Sequence, residues 1–283
     1  MTKGTASTVR RRRLAATLRS LREAAEITPE QVMDEMGWSR SKVSKVETAN
    51  MGVSVADVRV LCELYAAEDG VRDWLVRTAR DARRTHWWDA YDEALPERFR
   101  DYLELESEAT AIHHFEIDLV PGLLQTKDYA SALMTAYARE LGPAATEAQV
   151  ELRMQRQTKF REAGMHLSAI VDESALLRCI GSASTRRAQL RQLLDHLDDP
   201  HTDLRVLPMS AGAHAASGSP FGHLFFQEPI PSVVFLDNLA GSLYIERAEE
   251  VAQFGKAFRT LRQMASDAEE SAKLLRAALT AVG

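Results

Sequence analysis

The chain has 283 residues, a length that accommodates two domains, and its apolar fraction of 45% is ordinary for a globular protein. No apolar run approaches the roughly 18 residues that span a bilayer, and no apolar stretch follows the basic N-terminus as it would in a signal peptide. We therefore expect a cytoplasmic protein without membrane contact. Cys62 and Cys179 lie far apart in the sequence and are predicted to be buried, reduced thiols.

Charge is distributed unevenly along the chain. Residues 1–85 hold 16 Lys and Arg against 12 Asp and Glu, a net +4, and the remainder holds 19 against 29, a net −10. A basic N-terminal third attached to an acidic remainder can bind a polyanion locally, although charged helix faces also occur simply because they are solvated.

The first 85 residues have the pattern of five helices. Leu14, Leu18 and Leu21 recur at helical spacing in the first predicted helix. The predicted helices span about 9–25, 28–36, 39–47, 54–65 and 70–84. Residues 1–8 are small and polar, which predicts disorder.

The second and third helices form a closely spaced pair. Thr28 can cap the second helix, Pro29 suits its first position, and Gln31 stands where a capping box needs its partner. Gly37 supplies the left-handed residue that ends this helix, and Ser39 caps the next one. Two short helices joined by so tight a turn are what a helix-turn-helix requires.

The third helix has one apolar face and one polar face. Val43 and Val46 are predicted to point inward. The polar residues that share the opposite face are Arg40, Ser41, Ser44 and Lys45. Arg and Lys donate to guanine edges and Ser contacts several base edges, so this face suits the major groove of double-stranded DNA. A helical domain with a solvated basic helix that binds no DNA would show the same spacing, and this alternative stays open here.

Contacts to the DNA backbone are expected beside this face. The first amides of the third helix can meet a phosphate, and Lys42 lies to one side, where backbone contact suits it better than base contact. The basic run at the start of the first helix is a candidate arm for the same purpose. It consists of Arg10, Arg11, Arg12 and Arg13.

After His86, the pattern changes to that of an α+β domain with a small mixed or antiparallel sheet. We expect the domain boundary near 85–95, giving a helix-turn-helix domain over 1–85 and a regulatory or dimerisation domain over 86–283. The predicted helices are 97–111, 126–141, 146–163, 184–198, 248–265 and 267–280. The predicted strands are 114–119, 167–171, 204–207, 221–226, 233–236 and 243–245, with the strands clustered late.

The N-terminal region resembles a known family. The stretches Leu18–Ala24, Met36–Ser39 and Lys42–Glu47, together with Thr28, are similar to the Xre (lambda-repressor-like) helix-turn-helix domain of actinobacterial regulators. That family usually has Gln where this chain has Pro29, and the Gln braces a phosphate and the recognition helix. The resemblance therefore implies DNA binding with a backbone clamp that is either weaker or differently made.

The remainder is similar to the uncharacterised C-terminal domain that accompanies this helix-turn-helix in streptomycete-type regulators. The similar stretches are Trp87–Trp88, Tyr102–Ala109, Val120–Thr126, Arg153–Gln157, Asp172–Leu176, Val206–Pro208 and Gly212–His214. The resemblance implies a transcriptional regulator, often encoded beside a small acidic partner protein in an antitoxin-like arrangement.

No catalytic constellation stands out, so we expect no enzyme, no cofactor and no metal site. His113 and His114 are neighbours on a predicted strand and would face opposite sides. His214 and His223 flank a Gly-, Ala- and Ser-rich stretch that has no cysteine or clustered carboxylates, whereas a metal needs three or four converging ligands. Three glutamates alternate along a predicted helix and would form a solvated face. They are Glu104, Glu106 and Glu108.

Several residues of the second domain are candidates for binding a small-molecule ligand or a protein partner. His214 lies in the long loop between Pro208 and Pro220, and Trp87 and Trp88 lie at the presumed domain boundary, where they can equally serve only to pack the domains. A further set shares one helical face and could meet an anion, or form a surface salt-bridge network instead. It consists of Arg153, Arg156 and Gln157.

The leading hypothesis is a sequence-specific, homodimeric transcriptional regulator whose second domain dimerises and senses a ligand or partner. The alternative is an antitoxin-like protein whose main role is to bind a small partner, with DNA binding for autoregulation. An enzyme carrying a DNA-binding address is a third reading, which the lack of catalytic residues opposes.

Overall fold

The computed structural model of the protein describes residues 9–80, 86–91, 95, 97–137, 142–227, 230–238 and 241–282. The chain divides into two compact units: Met1–Trp87 with Glu228–Pro231, and Trp88–Gln227 with Ser232–Gly283. We call them unit 1 and unit 2. The predicted disorder of residues 1–8 and the predicted end of the fifth helix at residue 84 lie outside the described residues.

Unit 1 contains the five predicted helices. They are α1 (Val9–Ala24), α2 (Pro29–Met36), α3 (Arg40–Glu47), α4 (Val55–Leu64) and α5 (Asp69–Arg80). Each helix contributes apolar side chains to one core, among them Leu18, Val32, Val46, Leu61 and Leu75, all 3% exposed or less. The predicted helical spacing is thus confirmed, because these residues recur on the buried face of each helix.

The start signals read from the sequence are also confirmed. The Gln31 amide donates to Thr28 Oγ1 at 3.2 Å, and the Thr28 amide donates to Gln31 Oε1 at 2.8 Å, which completes the capping box. Ser39 Oγ accepts from the Lys42 amide at 3.3 Å at the start of α3. Ser54 Oγ accepts from the Asp57 amide at 3.1 Å at the start of α4. These side chains fix the helix ends by satisfying amides that lack partners within the helix.

Unit 2 is built on a six-stranded mixed sheet, which confirms the predicted α+β class. Its strands are β1 (Ala111–Glu116), β2 (His166–Asp172), β3 (Thr202–Leu207), β4 (Phe221–Phe225), β5 (Val233–Asn238) and β6 (Gly241–Ile245). Their order in the sheet is β3-β2-β1-β4-β5-β6. Strands β1 and β3 each pair with β2 in parallel. The pairs β1–β4, β4–β5 and β5–β6 are antiparallel.

Helices separate the parallel strands because a parallel pair needs a crossover connection. The helices of unit 2 are α6 (Glu97–Glu108), α7 (Lys127–Tyr137), α8 (Gly142–Glu162), α9 (Glu173–Leu177), α10 (Ala183–His196), α11 (Ala248–Met264) and α12 (Ala268–Thr280). On one face of the sheet, Phe258 of α11 packs against Phe115 and Phe221 in a core that is almost fully buried. The short helix α9 was not predicted, because five residues give too few turns for a periodic pattern.

The two cysteines differ in environment. Cys62 is buried as predicted, and this burial raises the pKa of its thiol to about 11. Cys179 is exposed, so the prediction that it would be buried is wrong. It follows α9, which ends at Leu177, and so it does not lie within the strand or helix that its apolar neighbours suggested.

Candidate nucleic-acid interface

The connection between α2 and α3 is very short. Gly37 takes a left-handed conformation with φ 61°, and its amide donates to the Met33 carbonyl. A residue with a Cβ rarely adopts this conformation, which is why glycine suits the position. Trp38 follows with 9% exposure, and Ser39 then caps α3. The two helices are therefore joined by the tight turn that the sequence predicted.

The two faces of α3 separate cleanly. Val43 and Val46 are each 3% exposed and belong to the core of unit 1. The polar residues on the other face are all exposed; they are Arg40, Ser41, Ser44 and Lys45. The structure therefore brings the four residues predicted to read base edges together on one accessible surface, which we call the α3 polar face.

Two cations of α3 have neighbours that the sequence did not predict. The guanidinium of Arg40, 79% exposed, lies 3.5 Å from Glu30 Oε1 on α2. An exposed ion pair of this kind contributes little to stability, so Arg40 can leave it for another acceptor. The ammonium of Lys42 lies 3.9 Å from the centre of the Trp38 ring, a cation–π contact that holds it beside the α2–α3 turn.

A partly buried ion pair fixes the end of α3 to α1, and sequence reasoning missed it. Arg22 Nε donates to Glu47 Oε1 at 2.6 Å, and Arg22 Nη1 donates to the Ile27 carbonyl at 2.9 Å. The hydrogen bond to Glu47 raises the pKa of Arg22. The signal in the sequence was Arg22 itself, four residues after buried Leu18 on the same helical face. This pair sets the orientation of α3 within unit 1.

The predicted basic arm is divided between surface and interior. Arg11 is exposed, and Arg10 and Arg12 are partly exposed. Arg13 is only 5% exposed and its guanidinium lies 5.4 Å from the centre of the Trp74 ring, so the expectation that all four arginines form an accessible arm is wrong for Arg13. The cause is that position 13 falls on the face of α1 that also buries Val9 and Thr17.

In unit 2, two of the three residues on the predicted anion-binding face of α8, Arg156 and Gln157, are engaged in internal contacts. Arg156 Nε and Nη2 donate to the two carboxylate oxygens of Glu106, at 2.8 and 2.6 Å, and both side chains are 6% exposed. Gln157 donates to the carbonyls of Gly122 and Gln125. The prediction of a surface salt-bridge network and the prediction of a solvated Glu106 are therefore both wrong, because α6 and α8 bury this ion pair between them.

The other predicted ligand residues of the chain are dispersed. His214 is partly buried in the loop after β3, and its ring meets Phe115 edge-on at 5.4 Å between centres. Trp88 is 2% exposed and Trp87 partly exposed, in a short 3-10 helix from Trp87 to Tyr91. None of these contacts tests a ligand role, which stays a prediction for all of them.

The histidines of the sheet point to both of its faces, as the alternation of a strand requires. His113 stacks on Phe258 with 4.4 Å between ring centres, whereas His114 Nε2 lies 3.1 Å from Glu116 Oε1. His223 lies beside His113 and its Nε2 is 2.9 Å from Ser232 Oγ.

Within the described ranges, no group of three or more His, Cys, Asp or Glu residues is arranged to hold a metal ion. In the same part of the chain, no helix combines the length and apolarity needed to cross a membrane.

A tight helix pair with an exposed basic and hydroxylic face has the geometry of a helix-turn-helix, the motif typical of DNA-binding regulators. Comparison with protein families agrees, since the family model described as Helix-turn-helix domain matches residues 13–75. The model described as Domain of unknown function (DUF5753) matches residues 99–277, more than half of the chain. The chain therefore belongs to the DUF5753 family. No curated protein and no solved structure matches it.

Proposed function

We propose that the protein is a sequence-specific transcriptional regulator that inserts α3 into the major groove of double-stranded DNA. The observation that carries this proposal is the exposure of the whole α3 polar face above a buried Val43 and Val46. In this proposal Arg40 and Lys45 donate to guanine edges, and Ser41 and Ser44 exchange hydrogen bonds with neighbouring bases.

Contacts to the phosphates would hold the helix in register. The first amides of α3 point out of the helix at Arg40 and Ser41, and Lys42 lies at the side of the polar face. Three residues of the basic run add positive charge at the start of α1: exposed Arg11 and the partly exposed Arg10 and Arg12. At the first position of α2 this chain has Pro29, where the Xre proteins that it resembles usually have the bracing Gln, so we propose that these cations replace that clamp.

We further propose that residues 1–85 form the DNA-binding domain and residues 86–283 a dimerisation and sensing domain. A two-fold dimer would recognise palindromic half-sites about one helical turn apart. The resemblance to Xre regulators of actinobacteria supports this organisation. A protein that reads chromosomal DNA works in the cytoplasm at the nucleoid, and we propose that location on this ground alone.

The antitoxin-like alternative is supported by the resemblance of the stretches within residues 87–214. It differs from the first proposal in what residues 86–283 bind. Co-purification of the full chain with a small acidic protein encoded by an adjacent gene would favour the alternative, and a homodimer alone, measured by light scattering, would favour the regulator.

The experiment that tests the proposal compares two double variants of the full chain. Duplexes recovered by selection from random DNA are titrated with wild type, with Arg40→Gln/Lys45→Gln, and with Arg77→Gln/Arg80→Gln. The second pair removes the same charge from exposed positions on α5. We expect the first variant to weaken binding by about a hundredfold or more and the control by much less. Equal losses would contradict the assignment of α3 as the reading helix.

A further inference from the structure

Two arginines on the same face of α8, three residues apart, have opposite electrostatic environments. Arg156 forms two hydrogen bonds with the Glu106 carboxylate and also lies over the rings of Phe99 and Tyr102, at 5.1 and 5.0 Å. Its positive charge is therefore compensated inside the unit, and the pKa of Arg156 is raised although burial alone would lower it.

Arg153 has no such compensation. Its one hydrogen bond runs from Nη1 to the neutral amide oxygen of Gln125, at 2.6 Å, and its buried Nε has no acceptor among the described residues. In that part of the chain no carboxylate forms an ion pair with it, whereas Arg156 does have one. Burial, and next the positive charge of Arg156, lower the pKa of Arg153 to about 10.

Arg153 as a whole is partly buried, and its Nε is covered completely. A guanidinium edge covered in this way without a carboxylate partner is unusual, because buried charges are normally paired. Arg153 contacts Gly122 and Gln125, which lie in the segment that follows β1. This segment leaves the carboxyl end of β1, which pairs in parallel with β2, and ligands of such sheets bind outside the carboxyl ends of the strands.

The backbone around Arg153 is adapted to its guanidinium. Gly122, in the short 3-10 helix after β1, lies so close that a Cβ there would be 3.4 Å from Arg153 Nη1. Gln157 holds this segment through the carbonyls of Gly122 and Gln125, and Gln125 in turn donates to the Val120 carbonyl at 2.7 Å. The guanidinium is therefore positioned by a network of amides, none of which neutralises its charge.

We propose that Arg153 is the centre of a binding site for a carboxylate ligand with a single negative charge. The Nε and Nη2 edge of a guanidinium matches the two oxygens of a carboxylate, and this edge makes no hydrogen bond within the described residues. One guanidinium balances a single negative charge, so a carboxylate with one charge fits it better than a doubly charged anion such as phosphate. This inference rests on the proposed function, because it names carboxylates as the class of ligand that the proposed sensing domain binds.

The carboxylate has two possible sources, a small free acid or the C-terminus of a peptide. Both are tested on the full chain without DNA, by saturation-transfer NMR of sodium acetate and of triglycine, with triglycine amide as the uncharged comparison. Because DNA is absent, a failure here leaves the DNA-binding proposal untouched, and loss of DNA binding leaves this result untouched.

Three variants of α8 make the test specific. Arg153→Met removes the charge, Arg153→Lys keeps the charge but not the planar fork, and Arg161→Met removes an exposed arginine from the same helix as the control. We expect the acetate signal to fall about fivefold or more in Arg153→Met, to fall less in Arg153→Lys, and to stay unchanged in Arg161→Met. If the signal that depends on Arg153 is stronger for triglycine than for acetate, the carboxylate that the site binds is the C-terminus of a peptide.

Clear outcomes would overturn the site. An equal acetate signal in wild type and Arg153→Met, or no signal in either protein, would show that Arg153 does not bind the carboxylate. A signal from triglycine amide as strong as that from triglycine would show that the negative charge is not recognised. Displacement of acetate by equimolar inorganic phosphate would show that the site is not specific for a carboxylate. If Arg153→Met does not fold, the Arg153→Lys and Arg161→Met comparison decides alone, because Arg153→Lys retains the charge and stem.

Discussion

The two units of the molecule use cationic side chains in opposite ways. In unit 1 the cations of the α3 polar face extend into solvent, and Arg40 is 79% exposed. In unit 2, Arg156 of α8 points into the protein and its side chain is 6% exposed. This contrast shows that the function of a basic helix cannot be inferred from its composition alone. An exposed cation on a rigid helix is accessible to a polyanion, whereas a buried one needs an internal partner or a small anionic ligand.

Unit 2 repeats the comparison on a smaller scale, between Arg156 with its carboxylate and Arg153 without one. Substitutions at these positions and on α3 are expected to differ in effect by several kcal/mol, and they follow in order of decreasing effect.

The largest effect is expected for Arg156→Met. The variant leaves Glu106 buried without its partner, and breaking a buried ion pair on one side costs about 3–5 kcal/mol. Urea unfolding followed by circular dichroism would measure the loss. Arg153→Met is the matched control, and we expect it to cost much less because Arg153 has no carboxylate to leave behind. Equal losses in the two variants would show that Arg153 is compensated after all.

A buried histidine predicts an acid-sensitive unit 2. Burial lowers the pKa of His223 from its ordinary 6.5 to about 4, and the charge of His113 adds to this. Because the folded pKa lies below the unfolded one, the stabilisation is complete above about pH 6.5 and is lost as the pH falls toward 4. The loss amounts to about 3 kcal/mol, at about 1.4 kcal/mol for each pKa unit.

The measurement is the free energy of unfolding between pH 7 and pH 4 for wild type and His223→Gln. Gln can still hydrogen-bond Ser232 but does not titrate, so its curve should be flatter in this interval. Carboxylates titrate in both proteins and cancel in the comparison. Parallel curves would mean that His223 does not set the acid sensitivity.

Arg40→Ala is expected to weaken binding to the selected DNA site by about 1–3 kcal/mol and to relax the preference at one base position. The effect is smaller than that of Arg156→Met because Arg40 is exposed and its ion pair with Glu30 is weak. Arg77→Ala on α5 is the control of equal charge. An equal loss on unrelated DNA would assign Arg40 to the phosphates.

The smallest effect is expected for the basic arm. Deleting residues 1–13 would remove buried Val9 and Arg13, so the triple substitution of Arg10, Arg11 and Arg12 by Gln is the cleaner variant. We expect the slope of log affinity against log salt to become shallower by about 0.9 for each phosphate that the variant no longer neutralises. A slope unchanged from wild type would exclude these arginines from the interface.

The sequence predicted most of the elements because their signals are local. Capping residues such as Thr28 and Ser39 and the spacing of Val43 and Val46 determine where α2 and α3 begin and which face is buried. The α3 polar face follows from the same periodicity. Contacts between distant segments could not be predicted in this way. The pairing of Arg156 with Glu106, fifty positions apart, depends on how α6 and α8 pack, and nothing local in either helix specifies it. Arg13 is a mixed case, since its position on α1 indicated burial but its charge suggested the surface.

Whether the α3 polar face reads base edges can be decided by selecting random-sequence DNA in parallel with wild type and Arg40→Lys. Lysine keeps the positive charge but lacks the fork that contacts two guanine atoms at once. We expect the variant to lose the preference for guanine at one position of each half-site and to keep the other preferences. Identical preferences and affinities for the two proteins would contradict the assignment of Arg40 to a base edge.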